Sequence, residues 1–421
     1  MLIRILQTVC LIMGGLLTVA FAYQAVYLFV PFFKRTPEKT PAPQPGGKRN
    51  YAVLIAARNE EAVIGHLLDS LRAQTYPAGQ RQIYVIADNC TDRTAQIARE
   101  HGATVFLREN REQVGKGYAL AYLLEQLRQT PQYDTIDAFV IFDADNVLEP
   151  DYLEKLDRVA AMGYPVFSGY RNSKNFGSSW ISAGHAMWYL HDSAHLNRSR
   201  MLLGVGCMVT GTGYGFTKAL FEQLGSWPFH TLTEDIEFGT WCAVHGVKIG
   251  YAHDAVLYDE QPITFRTSWK QRTRWAQGGI QTSLAYFRQY GKGMTQGGWA
   301  GWTSFEVMTL SLWGYGPAGL CGVLAFVTAL LSGGLPAAGV SLLAGLAGTY
   351  FSMLFIGGLT LLTEHKKLRA TTGQKWMALF SFPVYVATYL PVAVCSVFHK
   401  FHWEPIPHTQ SVSVQDLQNT P

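Results

Sequence analysis

The chain has 421 residues, of which 48% are hydrophobic and 15% are charged, and its formal net charge at pH 7 is +4. Its apolar residues are concentrated in long runs on either side of a mixed central region, which predicts a protein with membrane-embedded and water-soluble parts. The mild charge, without a basic stripe interleaved with aromatics, gives no support to nucleic-acid binding. The six cysteines lack metal-type spacing, so reduced thiols in a cytosol-facing protein are expected.

Four nearly uncharged runs are long enough to cross a bilayer core of about 30 Å. They are Ile5–Phe33, Phe305–Leu331, Ala337–Leu362 and Trp376–Phe398. Residues 1–33 are interpreted as a retained transmembrane helix, because the run is longer than a secretory apolar core and lacks a clear cleavage site. Lys34 and Arg35 begin a basic segment after it, which places the next domain in the cytosol by the positive-inside rule. We therefore expect a multi-pass protein of the plasma membrane, with the lipid bilayer as a partner.

Residues 34–49 are rich in proline and predict an extended tether between the first helix and the soluble domain. Within residues 299–400 we expect about three further spans, each of bilayer length, and residues 401–421 form a tail. The basic loop 364–369 is also expected in the cytosol, which sends the tail outside. Pro383 can break the last span, so the number of spans and the side of the C-terminus stay open.

Residues 50–290 are predicted to form a soluble α/β domain, because short β-rich runs alternate with helical patterns in the manner of βα units and a mostly parallel sheet. The predicted strands are Tyr51–Ala56, Gln82–Ala87, Ala103–Leu107 and Asp137–Phe142. Asn59 and Thr91 are predicted to cap the helices that follow the first two strands, because short oxygen-bearing side chains can accept from free backbone N–H groups.

Three acidic or amide clusters follow these strands: Asn59-Glu60, Asp88-Asn89 and Asp143-Ala144-Asp145. Ligands of open α/β sheets bind at the carboxyl ends of the strands, so one nucleotide can contact all three clusters. The third cluster has two carboxylates that suit Mg²⁺ or Mn²⁺ bridging a diphosphate. For an isolated acidic pair of this kind, a solvated turn is the alternative.

Thr233-Glu234-Asp235 precedes a predicted helix at residues 236–244, whose N-terminal dipole favours carboxylates. A simple helix cap is one interpretation. In the other, Asp235 takes the proton from an acceptor hydroxyl as its oxygen attacks an anomeric carbon, which inverts that centre, and Glu234 is a second catalytic candidate.

Gln271, Arg274 and Trp275 lie at spacings that bring them to one side of a helix. The guanidinium suits a leaving diphosphate and the indole suits a pyranose ring, while an interfacial anchor is the alternative for Trp275. The segments Trp180–Arg200 and Ser268–Phe287 are predicted as helices on the membrane surface.

Lys116 stands between two glycines that let it approach a phosphate, although it can equally be a surface lysine. The segment Thr210-Gly211-Thr212-Gly213 is predicted to line an acceptor cleft, with Thr212 and Gly213 as the acceptor contacts and an ordinary tight turn as the alternative. The three histidines of the first amphipathic segment lack metal spacing, so we expect packing roles for them. They are His185, His191 and His195.

Five motifs, in this order, resemble those of the family-2 glycosyltransferases, especially the membrane polysaccharide synthases related to cellulose and hyaluronan synthases, and among them small bacterial exopolysaccharide synthases. They are Ala57-Arg58-Asn59-Glu60-Glu61, Ala87-Asp88-Asn89-Cys90-Thr91-Asp92, Asp143-Ala144-Asp145, Thr233-Glu234-Asp235 and Gln271–Trp275. The resemblance implies a GT-A fold of class α/β, with transmembrane helices on both sides and a nucleotide-sugar donor, expected to be a UDP-sugar.

The predicted site then divides into four groups, with some roles taken from the resemblance. The donor group is Ala57, Arg58, Glu60, Asp88, Lys116, Asp143, Ala144, Asp145 and Arg274. The metal ligands are Asp143 and Asp145, and the catalytic residues are Asp235 and Glu234. The acceptor group is Thr212, Gly213, Asp235, Gln271 and Trp275.

The chain departs from the family pattern where Ala57-Arg58 replaces a frequent Thr-Tyr and where Ala87 replaces a common aspartate. The sequence therefore predicts the class of donor, a nucleotide sugar, better than it predicts the individual residues that contact the donor. The chain also has no recognisable gating segment or regulatory β-barrel, so control by a cyclic dinucleotide is not expected.

Three functions remain open. The first is an inverting transferase that extends a polysaccharide and couples its synthesis to export. With only about four spans, its pore would need a further subunit or a second copy of the chain. The second adds one sugar to a lipid-linked or other membrane-bound acceptor. The third is a nucleotide-binding transporter or scaffold, which the near absence of charge in the predicted spans, except for Glu306, does not favour.

Overall fold

The computed structural model describes residues 1–34, 47–313 and 316–398, together with 412 and 416. Most of the predicted tether, residues 35–46, lies outside the described residues. The predicted tail also lies outside them, apart from residues 412 and 416.

Eight strands form one sheet. They are β1 Tyr51–Ala57, β2 Arg81–Asp88, β3 Thr104–Arg108, β4 Ala138–Asp143, β5 Val147–Leu148, β6 Val166–Ser173, β7 Tyr214–Thr217 and β8 Ile249–Asp259. Their order is β3-β2-β1-β4-β7-β6-β8-β5. The four predicted strands are confirmed with bounds within one residue, and Asp88 and Asp143 are the last residues of β2 and β4.

The sheet is mixed rather than mostly parallel. The pairs among β1, β2, β3 and β4 are parallel, as is the β6–β8 pair. β7 is antiparallel to both β4 and β6, and β5 is antiparallel to β8. The βα pattern predicts only the parallel half, because the second half is assembled from strands far apart in the chain.

Fourteen helices accompany the sheet in the described residues. They are α1 Leu2–Phe33, α2 Ile64–Arg72, α3 Thr94–Glu100, α4 Lys116–Arg128, α5 Tyr152–Ala161, α6 Trp180–His191, α7 Arg198–Leu203, α8 Lys218–Leu224, α9 Glu234–Val244, α10 Phe265–Met294, α11 Gly298–Met308, α12 Gly316–Glu364, α13 Thr372–Ala387 and α14 Tyr389–Phe398. A π-helical segment, Asp192–Asn197, joins α6 to α7.

The sheet is covered on both faces, which explains why β1 is an uninterrupted apolar run. Val53 and Ile55 point into the core that includes α2, α3 and α5. Leu54 points into the opposite core, which includes α4, α6, α8 and α9. Because successive strand residues face opposite sides, one apolar strand supplies both cores.

The predicted helix caps at Asn59 and Thr91 are wrong. Asn59 has a left-handed φ of 57°, and α2 begins only at Ile64. Its side-chain oxygen accepts a hydrogen bond from the backbone N–H of Thr91 at 2.8 Å. Asn59 therefore joins the loops after β1 and β2, and it is Asp92 that accepts from the N–H of Thr94 at the start of α3.

The segment Trp180–Arg200 is confirmed as helical, and its place at a membrane surface stays a prediction. Met187 and Leu190 of α6 are fully buried in the core. A Cβ on Gly184 would lie 2.3 Å from the Tyr385 ring, so α6 is packed tightly against α13. Apolar periodicity cannot distinguish a lipid surface from a second protein layer, and here Met187 and Leu190 face protein.

Three helical stretches are long and apolar enough to cross a membrane: Leu2–Phe33, Gly316–Glu364 and Thr372–Phe398. The predicted run Phe305–Leu331 is divided, since α11 ends at Met308 and α12 begins at Gly316.

The long helix α12 is interrupted at Gly333 and Gly334, whose backbone angles are not helical. Before the break, the Cys321 Sγ lies 3.9 Å from the carbonyl oxygen of Cys10 in α1. After it, Thr363 contacts His195, which in turn contacts the Leu28 carbonyl at the other end of α1. The two halves therefore run in opposite directions along α1.

A buried ion pair fixes α1 and α11 to the α/β domain. The Arg200 Nε donates to Glu306 at 2.8 Å, and the Tyr27 hydroxyl donates to the other carboxylate oxygen. Glu306, the one charge noted near the start of the predicted span Phe305–Leu331, lies in α11, and both partners of the pair are almost fully buried. Removing one partner alone would leave an uncompensated buried charge.

Candidate active site

A cavity of about 1280 Å³ opens at the carboxyl ends of β1, β2 and β4. Parallel strands end at the same edge of a sheet, so loops far apart in sequence meet there. The predicted residues on its wall are Ala57, Arg58, Glu60, Asp88, Lys116, Asp143, Ala144, Asp145, Glu234, Asp235, Gln271, Arg274 and Trp275. The three motif groups that contain Asp143, Asp235 and Arg274 thus share one cavity.

Lys116, the first residue of α4, lies at the centre of an ion-pair cluster. Its Nζ donates to the Asp143 carboxylate at 2.5 Å and to the Gly211 carbonyl at 2.8 Å. The Glu234 carboxylate lies 3.6 Å from the same nitrogen. A Cβ at Gly117 would be 2.1 Å from the Phe229 carbonyl oxygen, so only glycine permits this approach of α4. Lys116 is therefore a cavity residue rather than a surface lysine.

The cluster alters the titration of its members. Burial raises the pKa of Glu234 to about 7, with Lys116 opposing the shift and the charges of Asp235 and Asp143 adding to it. Burial alone would lower the pKa of Lys116, but Asp143 and Glu234 more than offset that effect, and the net shift is upward. Lys116 stays cationic, and Glu234 can exchange a proton near neutral pH.

The loop after β4 is held rigidly by backbone contacts. The Asp145 carboxylate accepts from the Glu260 N–H at 2.9 Å, and the Asp143 N–H donates to the Thr212 hydroxyl at 2.9 Å. Asp88 is also fixed, because the buried Arg108 donates to it at 2.6 Å. These carboxylates are positioned before any ligand binds.

Asp143 and Asp145 offer two carboxylates to the cavity. Among the described residues, no group of three or more His, Cys, Asp or Glu side chains is placed to hold a metal by itself. Mg²⁺ is commonly held by one or two carboxylates together with substrate phosphates. The pair could hold a divalent cation of that kind, whose remaining ligands would have to come from a bound molecule and water.

Arg171 was missed in the sequence. Its guanidinium stacks 3.7 Å from the Tyr189 ring centroid, is ion-paired with Asp259 and donates to the Thr210 carbonyl at 2.9 Å. A Cβ on Gly211 would lie 3.0 Å from the Arg171 guanidinium and 3.8 Å from the Asp235 carboxylate, so both groups flank this glycine. A lone arginine in an otherwise buried strand was the signal that could have revealed it.

The partner of Arg171 also has a shifted pKa. Burial raises the pKa of Asp259 to about 6, with Arg171 opposing the shift and Asp145 adding to it. Asp259 thereby couples the loop that carries Asp145 to Arg171, which borders the Asp235 side of the cavity.

The α10 residues approach the cavity from the side of the candidate spans. Arg274 donates to the Leu232 carbonyl at 2.9 Å, and the Trp275 ring meets the Tyr189 ring edge-on at 6.3 Å. The Oε1 of Gln271 is buried and has no hydrogen-bond partner within the described structure. These three side chains therefore present a cation, an aromatic face and an unused acceptor atom.

Thr212 and Gly213 lie behind the cavity wall rather than on it, so the structure does not bring them into an acceptor cleft. The Thr212 hydroxyl donates to Asn146 at 2.5 Å, and a Cβ on Gly213 would lie 2.0 Å from the Leu257 side chain. Their neighbours Thr210 and Gly211 line the cavity instead.

The histidines of α6 and the π-helical segment have different surroundings. His185 bonds to the Ser268 hydroxyl at 2.8 Å and His195 to the Leu28 carbonyl at 3.0 Å, as expected for packing residues. His191 lies on the cavity wall.

The far end of the cavity is mostly apolar and lies among α12, α13 and α14. Its wall there includes Leu320, Val323, Met353, Ile356, Phe382, Val386, Leu390 and Val394. One continuous cavity therefore joins a charged end at the sheet to an apolar end among helices of membrane-spanning composition.

Two curated relatives share the central region. The beta-monoglucosyldiacylglycerol synthase of Synechocystis sp. is 28% identical over 286 residues, which cover 65% of this chain and 57% of that protein. The poly-beta-1,6-N-acetyl-D-glucosamine synthase of Staphylococcus aureus is 28% identical over 243 residues, which cover 56% of this chain and 55% of that protein. The matches thus span little more than half the length of these relatives.

A solved structure shares the fold. It is a mannosyltransferase from Pyrobaculum calidifontis in complex with GDP-Man and Mn²⁺, with a TM-score of 0.56 and 20% sequence identity over 92% of this chain and 99% of that chain. This likeness supports a GT-A-like α/β fold with a curled mixed sheet. Residues 48–278, more than half of the chain, match the sequence profile described as glycosyltransferase like family 2. The chain is a family-2 glycosyltransferase.

Proposed function

We propose that the protein transfers a sugar from a nucleotide-sugar donor to a hydroxyl group of a membrane-bound lipid acceptor, with inversion at the anomeric carbon. The observation that carries this proposal is the continuous cavity, which has fixed carboxylates and cations at one end and an apolar wall at the other. A nucleoside diphosphate suits the charged end, and an acyl chain suits the apolar end.

The donor lies at the sheet edge in this proposal. Glu60 and Asp88 contact the nucleoside, and Asp143 and Asp145 hold Mg²⁺ or Mn²⁺ at the diphosphate. When bound, the cation neutralises charge on the diphosphate. Lys116 and Arg274 are the cationic side chains of the wall that stabilise the departing group. A UDP-sugar is the first donor to test.

Asp235 is the proposed base. It takes the proton of the acceptor hydroxyl, the oxygen forms a bond to the anomeric carbon, and the bond to the diphosphate breaks with its electron pair leaving on the nucleoside diphosphate. One displacement inverts the centre. Glu234 is ion-paired with Lys116, so we assign it the role of holding that cation in place rather than the role of base.

The acceptor class follows from the apolar end of the cavity. A growing polysaccharide requires many hydrogen-bonding partners along its path, and the wall among α12, α13 and α14 supplies few. Polymer synthesis remains the second candidate, because the aromatic side chains of Trp188, Tyr189 and Trp275 line the cavity and can stack on sugars.

We also propose that α1, α12 and α13–α14 lie in the plasma membrane and that the α/β domain faces the cytosol, where nucleotide sugars are found. The length and composition of these helices support this placement. The basic segment after α1 supports the orientation.

The test uses the full chain in nanodiscs that contain dioleoylglycerol, with labelled UDP-glucose, UDP-N-acetylglucosamine and GDP-mannose as separate donors. A glycolipid one sugar heavier than its acceptor, with inverted configuration by NMR, supports the proposal. A ladder of water-soluble polymers supports the second candidate. Donor binding without turnover on any acceptor would contradict both candidate functions and favour a nucleotide-binding scaffold.

A further inference from the structure

We propose that the last turn of α6 and the first residue of the π-helical segment form a binding site for the hydroxyl-bearing headgroup of the acceptor, built from Trp188, His191 and Asp192. This inference rests on the proposed function, because it names the part of the acceptor that the cavity recognises. All three residues lie on the cavity wall. Their spacing of three and four residues places them on one side of the helix.

The two polar side chains retain unused hydrogen-bonding atoms. His191 is 7% exposed, and its Nδ1 has no hydrogen-bond partner among the described residues. Asp192 accepts from the Asn197 side chain at 3.1 Å through Oδ2, which leaves Oδ1 for a ligand. The Nδ1 atom is itself buried, so the carboxylate of Asp192 is the polar group that the wall offers to a ligand directly, and His191 lines the wall beside it.

The charge state of these groups favours hydroxyls. Burial lowers the pKa of His191 to about 3, and the charges of His195 and Arg200 add to the shift. The imidazole is therefore neutral at physiological pH, with one nitrogen that donates and one that accepts. A neutral imidazole beside a carboxyl group can bond to adjacent hydroxyls of a glycerol or a sugar.

The position of the site matches an amphiphilic acceptor. Tyr189, also on α6, stacks with Arg171, and Arg171 flanks Gly211 together with Asp235. On the other side, the Trp188 ring lies 6.4 Å from the Tyr389 ring at the start of α14. A headgroup at α6 therefore lies between the proposed base and the apolar wall, where its chain can continue among α12, α13 and α14.

The local backbone supports a ligand role. The helix changes from α to π geometry at Asp192. Wide turns of this kind occur mostly within helices and frequently at functional positions. The same segment carries Asn197, which holds Asp192 on the cavity side.

The first experiment measures transfer by the full chain in nanodiscs, with 1-oleoylglycerol, which has two adjacent hydroxyls, as the acceptor and the donor that turns over. Asp192→Asn and His191→Phe are expected to raise the acceptor KM about 10- to 100-fold, as loss of hydrogen bonds to a bound group would. The donor KM should change less than about twofold. His245→Gln is the control, because His245 is an exposed histidine outside the cavity wall and should leave the acceptor KM unchanged.

The second experiment does not need turnover. Binding of 1-oleoylglycerol is compared with binding of its 2-O-methyl ether, which keeps the acyl chain and the terminal hydroxyl and loses the neighbouring hydroxyl. The wild-type protein should prefer the free diol, and Asp192→Asn should lose that preference. Equal binding of the two lipids to the wild type would overturn the headgroup site, even if the protein transfers sugar.

The outcomes separate the two proposals. Absence of transfer with every donor, combined with a retained preference for the free diol, contradicts the proposed function and supports the site. If Asp192→Asn fails to fold, as judged by its melting temperature, Trp188→Leu replaces it, with the same shift in acceptor KM expected. An altered donor KM with an unchanged acceptor KM in these variants would refute the assignment.

Discussion

The two ends of the cavity are built on different principles. At the sheet edge, charged side chains such as Lys116, Asp143 and Asp88 are paired and fixed by hydrogen bonds before a ligand arrives. At the helical end, the wall is made largely of apolar side chains from α12, α13 and α14. Preorganised charges suit one defined transition state, whereas an apolar wall tolerates many chains of similar shape. Changes at the two ends should therefore affect different kinetic parameters.

The largest effect is expected at Asp235, the proposed base, whose charge acts on Lys116 and Glu234. Asp235→Asn should reduce transfer about 1000-fold, because a neutral amide cannot take the proton of the acceptor hydroxyl. Nucleotide binding, measured by calorimetry with UDP, should remain, since the donor contacts are elsewhere on the wall. Asp254→Asn is a suitable control, because Asp254 forms an exposed ion pair with Arg158. Normal turnover in Asp235→Asn would remove Asp235 as the base.

A smaller loss is expected at the charged end. Arg274→Lys should lower kcat about 10- to 100-fold, because a point charge cannot replace the planar guanidinium on a diphosphate and also keep the bond to the Leu232 carbonyl. Steady-state kinetics with varied donor will test this. Lys270→Arg, in the same helix but outside the cavity wall, is the control. Equal kinetics in Arg274→Lys and the wild type would exclude Arg274 from the donor site.

The charged end was largely predictable from the sequence. Asp88 and Asp143 end apolar strands, and the carboxyl ends of parallel strands must meet at one edge. Arg171 was not predictable in this way, because its contact with Asp259 depends on the pairing of β6 with β8, which are far apart in the chain. Thr212 was placed on the wrong side of the wall, since spacing alone does not show which of four consecutive residues faces a cavity.

The helical end was less predictable. The apolar runs showed which residues avoid water, but not whether lipid or protein covers them. For this reason the sequence predicts α6 on a membrane surface without showing that its apolar residues pack between the sheet and α13. The break at Gly333 and Gly334 agrees with the two predicted spans, and the contacts of Cys321 and Thr363 place the two halves near opposite ends of α1.

The acceptor KM should depend on the volume of the side chains at the apolar end of the cavity rather than on their charge. Val386→Trp is expected to narrow the wall and raise the acceptor KM about 3- to 10-fold, with less effect for acceptors with shorter acyl chains. The donor KM should not change. Leu343→Trp, at a highly exposed position of α12 outside the cavity wall, controls for the bulky substitution. If Val386→Trp raises the acceptor KM by the same factor for short and long acyl chains, the acyl chain does not lie along Val386.

The smallest expected effect concerns the pH dependence of stability at the charged end. The pKa of Glu234 is about 7 in the folded protein, above its ordinary value of 4.5, so the folded state binds more protons than the unfolded state between these values. This group therefore contributes stability that is present below about pH 4.5 and is lost as the pH rises through about 7. Glu234→Gln cannot titrate, so its melting temperature should fall less than that of the wild type between pH 5 and 7.5, by on the order of 2–4 °C. Parallel melting curves over this range would show that Lys116 keeps Glu234 ionised throughout, and that the charged end is fixed in one protonation state.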